Sequence, residues 1–319
     1  MRIALIGQFD GDLIARLAES NDVACIEQGE PELAMIADAE ILVTRGHFRA
    51  TAEVLTSLPK LRLLVKAGTG TDNIDLAAAE RLGVMVETTP VASTSVAELA
   101  IGLLLAVNRR ICFVQQRLRA GDWGVKYSAP GRELRGSTLG ILGFGRIGQE
   151  LGRVASGFEM TVLVHDQSPE KRMKQILANK IGATFTDLST LLLKSDAVSL
   201  HLPLDDKTRR IIGWRQLALM QRHAVLINTG RAATVDREAL LTALLEQRIA
   251  GAGLDVFHDE PLPADDPLLQ LPQVVCTPHI GAQTIEAMQQ IGRYVCETVH
   301  RFVESHRRSP RPSSAHTKT

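Results

Sequence analysis

Short apolar runs alternate with segments of helical period along most of the chain. RIALIG (2–7), AEILVTR (39–45), LRLLVKAG (61–68) and VMVETTP (84–90) have strand length and strand composition, and predict strands. Between them LIARLAE, TAEVLTSL and DLAAAERLG repeat apolar residues at helical spacing, and Gly83 suits a helix C-terminus. The segment 95–121 predicts one long helix, apolar early and basic late, ending at Gly121, with a loop-like stretch to Leu134. A second series follows, with strands in TLGILG, MTVLVHD, AVSLHLP, AVLINTG, GAGLDVF and QVVCTPH, and TIEAMQQIGRYVCETVHRFVES is the last helix. Apolar strands alternating with helices imply parallel sheets covered on both faces, an α/β class.

At 319 residues the chain exceeds one ordinary core and suits two domains. The expected division is 1–94 plus 284–310 against 95–283, with a disordered Ser/Pro/basic tail at 311–319. Lys plus Arg and Asp plus Glu each number 36, so net charge gives no basis for binding nucleic acid or an anionic membrane. The opening lacks signal-peptide features, and no apolar run approaches membrane-span length. Cys25, Cys112, Cys276 and Cys296 are scattered, without zinc spacing. They read as reduced thiols of a cytoplasmic protein with no metal site.

GILGFGRIGQELG places Gly143, Gly145 and Gly148 in a GxGxxG between a strand and a helix. There the first glycine allows the tight turn, the second lets backbone approach a pyrophosphate, and the third lets helix pack on strand. The helix N-terminus then faces the phosphates. The next strand ends in Asp166, about where an acid holds the adenosine ribose. A carboxylate there repels a 2′-phosphate, and Gln167-Ser168-Pro169 adds no arginine, so NAD is the expected cofactor rather than NADP.

Three further strand ends carry Arg231 (INTGR), Asp255 with Glu260 (GLDVFHDEP) and His279 (TPHIG). Ligands of open α/β sheets bind beyond the carboxyl ends of the strands. Singly, such residues are more often structural or solvated. Together, downstream of a nucleotide fingerprint, they match 2-oxo acid reduction. An arginine holds the carboxylate, a histidine exchanges the proton, and a carboxylate orients the imidazole.

KAGTGTDNID, TPVASTSVAELAIGLLL, GILGFGRIGQELG, HLPL, INTGRAATVD, GAGLDVFHDEP and TPHIGAQT occur in the order seen in D-isomer-specific 2-hydroxyacid dehydrogenases, and the chain most resembles their 3-phosphoglycerate dehydrogenase branch. The resemblance covers about residues 40–300. It implies a Rossmann nucleotide domain and a flavodoxin-like substrate domain with a cleft between them, and a homodimer joined through about 95–135. It implies Arg231 as substrate anchor, Glu260 as partner of His279, and His279 as acid/base. Backbone N–H groups of Ala67, Gly68, Thr69 and Gly70 would cradle the substrate carboxylate. Cofactor contacts would fall on Arg146, Ile147, Asp166, Pro203, Thr229, Gly230, Asp255 and Gly281 beside the three glycines. His201 is a candidate for shaping the nicotinamide pocket, while His47, His165 and His258 have no motif role.

Within that branch Arg45 corresponds to an arginine for the substrate phosphate, whereas GDWGVKYS offers only Lys126 as a nearby cation. A serine-sensing C-terminal domain is expected to be absent. Thr69 stands where phosphite dehydrogenases place a lysine, which disfavours that reaction. The alternatives are a hydroxypyruvate or glyoxylate reductase and, from another class, an NAD-sensing corepressor that binds peptides.

Overall fold

The computed structural model describes residues 1–27, 32–46 and 48–307. Two readings, the solvated or structural His47 and the disordered tail, lie outside the described residues. In chain order the first series is β1 (Arg2–Ile6), α1 (Gly11–Ala18), β2 (Asp22–Ile26), α2 (Leu33–Ile36), β3 (Ile41–Thr44), α3 (Ala52–Thr56), β4 (Leu63–Lys66), α4 (Leu76–Arg81) and β5 (Met85–Thr88). Then come α5 (Ser93–Asn108) and α6 (Ile111–Arg119). The second series is β6 (Thr138–Leu142), α7 (Arg146–Gly157), β7 (Thr161–His165), α8 (Arg172–Lys180), β8 (Thr184–Phe185), α9 (Leu188–Lys194), β9 (Ala197–Leu200), α10 (Trp214–Leu219), β10 (Val225–Asn228), α11 (Arg237–Leu245), β11 (Gly251–Leu254) and β12 (Val274–Cys276). The last helix is α12 (Ile285–Arg307).

The chain divides into two compact units, 1–92 with 284–319, and 93–283. The first holds a five-stranded sheet of order β2-β1-β3-β4-β5, paired parallel throughout. This is the flavodoxin-like order. β3 and β4 are buried at every position. One face is covered by Ile36, Leu55, Leu58 and Ala78, the other by Leu13, Leu17 and, from α12, Ile291, Val295, Val299 and Phe302. Asp10, Thr51 and Asp75 cap α1, α3 and α4 through side-chain acceptors, each such cap stabilising by about 1 kcal/mol.

The second unit holds seven parallel strands in the order β12-β11-β10-β9-β6-β7-β8. Strand order reverses between β6 and β9, the switch point at which open α/β sheets bind ligands. Phe144, Leu151, Val162 and the apolar face of α5 fill one side; Leu191, Leu226, Leu240 and Leu244 fill the other.

The single helix expected over 95–121 is two helices. Arg110 adopts a left-handed conformation (φ 52°), and the Asn108 carbonyl accepts from Arg132 N–H at 3.1 Å instead of continuing the helical ladder. The break falls where burial ends: α5 buries Ala97, Ala100, Leu103, Leu104 and Val107, while α6 buries no residue. The edge strands β2 and β8 escaped the apolar-run criterion because β2 is only partly buried and β8 has two residues.

Candidate functional site

The glycine-rich turn joins β6 to α7 at the switch point. Gly143 has φ +95°, and a Cβ on it would come within 2.5 Å of the His201 carbonyl oxygen. A Cβ on Gly148 would collide with the Gly143 carbonyl oxygen, so α7 can start only against a bare backbone. At Gly145, the N-cap of α7, a Cβ would meet nothing within 4 Å. The backbone there faces open space that a phosphate can enter. Arg146 and Ile147 follow as the first helical residues, Arg146 exposed.

Two buried polar atoms at neighbouring strand ends, Thr229 Oγ1 and His201 Nδ1, have no hydrogen-bond partner among the described residues. Buried polar groups left unpaired are costly, so both fit positions that a bound cofactor completes. His201 is tethered through Nε2 to Ser199 Oγ (2.8 Å), and burial pushes its pKa down to about 4. Gly230 lies so close to the Leu200 carbonyl oxygen that a Cβ would approach it to 2.9 Å. The Pro203 carbonyl accepts from Thr208 Oγ1 at 2.6 Å, fixing the turn after β9. The residues present therefore fit a dinucleotide.

Asp166, one residue beyond β7, is already engaged. Its Oδ2 accepts Phe144 N–H (2.7 Å), and its Oδ1 accepts both Ser168 N–H (2.8 Å) and the Lys174 ammonium. Burial alone would raise its pKa, but the Lys174 bond and the two N–H donors hold it below the usual carboxylate value. Sequence reasoning missed Lys174. Looking for a cation immediately after Asp166, it stopped short of the first turn of α8, which carries the ammonium back to the carboxylate.

The catalytic candidates also lie in the second unit. Asn228, ending β10, shapes the Arg231 turn: its Nδ2 donates to Arg231 O (3.0 Å) and its Oδ1 accepts Gly230 N–H (3.0 Å). Thr234 Oγ1 also donates to Arg231 O (2.6 Å). After β11 the chain runs through Asp255 to Glu260, whose Oε1 accepts Phe257 N–H (2.8 Å) and whose Oε2 lies 2.8 Å from His279 Nδ1. That hydrogen bond raises the His279 pKa, opposed by partial burial and reinforced by the Glu260 charge. Glu260 is mostly buried whereas the His279 ring is half exposed, the arrangement of an oriented group that meets solvent or substrate.

Asp255, the residue after β11, is bonded within the protein. It is 1% exposed, and its carboxylate accepts from Thr277 Oγ1 (2.6 Å), Ile280 N–H (2.8 Å) and Gly281 N–H (2.9 Å). Burial raises its pKa against these donors. These bonds bracket His279, which sits at φ 54° in the left-handed region. Asp255 is thus a clamp on the histidine turn, and the Gly281 N–H belongs to that clamp.

In the first unit two N–H groups of the loop after β4 are engaged by backbone acceptors. Ala67 N–H already donates to Thr44 O and Gly68 N–H to Lys66 O, both at 2.8 Å. The Thr69 and Gly70 N–H groups have no backbone acceptor among the described residues. Arg45 follows β3, with Nη1 directed at Met288 Sδ (2.6 Å) and Gln8 O (3.4 Å). It has no carboxylate partner among the described residues, and burial lowers its pKa. The buried Lys66 donates to Gly46 O at 2.8 Å. His165 Nδ1 lies 3.2 Å from Thr186 O, and His258 is exposed. No helix among the described residues is long and apolar enough to cross a membrane.

Residues 101–281 match the family model of the D-isomer specific 2-hydroxyacid dehydrogenase NAD binding domain. The chain is 41% identical over 275 residues to the D-3-phosphoglycerate dehydrogenase of Methanocaldococcus jannaschii, covering 86% of this chain but only 52% of that protein. It is 39% identical to the hydroxypyruvate reductase of Thermotoga maritima, covering 83% of this chain and 85% of the relative. Against the glyoxylate reductase of Thermococcus litoralis the identity is 40%, with 85% and 83% covered. Among solved structures, the TT0316 protein of Thermus thermophilus superposes with a TM-score of 0.87 at 34% identity, covering 96% of this chain and 97% of that one. Aquifex aeolicus D-lactate dehydrogenase, complexed with NAD and lactic acid, superposes with a TM-score of 0.86 at 28% identity, covering 95% and 96%. Turn, strand-end constellation and likeness converge: the chain belongs to the D-isomer-specific 2-hydroxyacid dehydrogenases, a family of NAD-dependent oxidoreductases.

Proposed function

We propose that the protein interconverts a small D-2-hydroxy acid and its 2-oxo acid, with 3-phosphoglycerate-type substrates as the first reading. The observation that carries the chemistry is the Glu260–His279 pair at 2.8 Å. The glycine turn, Asp166 and the ends of β9 and β10 would hold NAD, which when bound would supply or accept the hydride. Glu260 fixes the imidazole through Nδ1, so His279 exchanges the substrate proton through Nε2. Arg231 holds the substrate carboxylate and polarises the carbonyl. The N–H groups of Thr69 and Gly70 add donors for that carboxylate.

The phosphorylated substrate is favoured by Arg45, a half-buried guanidinium without a carboxylate partner among the described residues. A hydroxypyruvate or glyoxylate reductase is the second reading, supported by the 39% and 40% identity to relatives of those names. NADH oxidation with a panel of 2-oxo acids separates the readings, with Arg45→Ala as the control. Loss of roughly ten- to hundredfold in kcat/KM for the phosphorylated acid, with hydroxypyruvate little changed, supports the first. Equal losses, or a wild type indifferent to the phosphate, move the assignment to the second. No turnover of any acid would favour a cofactor-sensing binding protein. We place the protein in the cytoplasm as a homodimer joined through 95–135. Exposed Ile111, Leu118, Trp123 and Tyr127 support that interface, and light scattering tests it.

A further inference from the structure

An ionised carboxylate offers about four lone-pair positions. Three of those on Asp166 are filled from within the protein, by Phe144 N–H, Ser168 N–H and Lys174. A ribose diol donates two hydrogen bonds, so the carboxylate cannot receive both hydroxyls while Lys174 holds its place. The pair is not a solvated surface contact. The side chains are 20% (Lys174) and 8% (Asp166) exposed, so the ammonium covers the acid. A diol that takes two positions on the carboxylate has to displace the ammonium, which is carried on α8.

The surroundings are basic. Lys171 and Arg172 at the start of α8, and Arg146 at the start of α7, are exposed; Glu170 is the one acid in 167–174. A 2′-phosphate at this position would face the Asp166 carboxylate, and the Lys174 ammonium would offset that repulsion. We infer that Lys174 is a cofactor-specificity residue. It lets the site accept NADP(H) as well as NAD(H), by competing with the ribose diol for Asp166 and by pairing with a 2′-phosphate.

This inference rests on Asp166 being the ribose acid, and the experiment separates the two. Dissociation constants for NADH and NADPH are measured by nucleotide fluorescence on wild type, Lys174→Met, Lys174→Arg and Asp166→Ala. Steady-state kcat/KM for each nucleotide is measured in parallel. The wild type is expected to bind both. Lys174→Met should bind NADPH roughly ten- to hundredfold more weakly, the range of one charge-assisted contact. It should bind NADH more tightly, because two hydroxyls then find free lone pairs. Lys174→Arg should retain NADPH binding. A merely structural lysine would move both affinities in one direction, and that result overturns the proposal. So does a wild type that binds no NADPH. If Lys174→Met leaves the ratio unchanged while Asp166→Ala shifts it, the lysine assignment alone fails. If Asp166→Ala also leaves it unchanged, the ribose acid lies elsewhere and both fail.

Discussion

Replacing Glu260 with Gln isolates the charge behind the histidine. Glutamine keeps an acceptor for Phe257 N–H and a hydrogen-bonding group at 2.8 Å from Nδ1, so the loop remains anchored while the negative charge disappears. Hydrogen bonds to charged groups contribute about 1.5–3 kcal/mol and neutral ones about 0.5–1.5 kcal/mol. The two ranges differ by about 1–1.5 kcal/mol. The His279 ring is 50% exposed, so solvent screening makes that difference an upper bound on the effect. The sign follows from Glu260 raising the His279 pKa: without the carboxylate the imidazolium is less favoured and the pKa falls. Oxidation needs the neutral ring as base, so its kcat/KM rises with pH through that value. In Glu260→Gln the rising limb moves to lower pH. Reduction needs the imidazolium, so its activity is lost as pH increases, and in the variant that loss begins at lower pH. The assay is the pH dependence of kcat/KM in both directions, with one substrate pair for both enzymes. Superimposable profiles would refute the role given to Glu260 while leaving the fold untouched.

Gly148→Ala places a methyl against the Gly143 carbonyl oxygen. It should destabilise by about 1–3 kcal/mol, visible as a lowered Tm, and weaken NADH binding. Asp255→Ala leaves the Ile280 and Gly281 N–H groups without their acceptor. A kcat reduced much more than NADH affinity is expected, and equal losses would return Asp255 to the cofactor site. His201, held near pKa 4 by burial, contributes stability present above its unfolded value near 6.5 and lost as pH falls towards 4. Between pH 7 and pH 5 the loss should be about 2 kcal/mol, and urea unfolding of His201→Gln should lack that component.

The glycine turn and the Arg231, Glu260 and His279 positions were legible because each follows an apolar strand, where a polar or bare residue stands out. β10 and β11 are buried at every position, and they present their signals at their ends. What was illegible depends on contacts that spacing does not encode. Lys174 reaches Asp166 across eight residues because α8 begins with its first turn against the end of β7. The Asp255 clamp on the His279 turn was illegible because a carboxylate after a strand reads alike whether or not it also holds the donors of the next strand end. The break at Arg110 was hidden because Asn108–Arg110 contains neither proline nor glycine; the Arg132 N–H that ends the helix arrives from a distant segment.

Helix α12 lays Ile291, Val295, Val299 and Phe302 against Ile3, Leu5, Ile41, Val43, Leu63 and Val65. During synthesis the ribosome releases that wall only after residues 93–283. Residues 93–283 are uninterrupted and carry their own cores, so they can complete their fold while β1, β3 and β4 still lack their cover. The usual order, N-terminal part first, is thereby reversed for the finished protein. Until α12 emerges, β1, β3 and β4 keep one apolar face open to water.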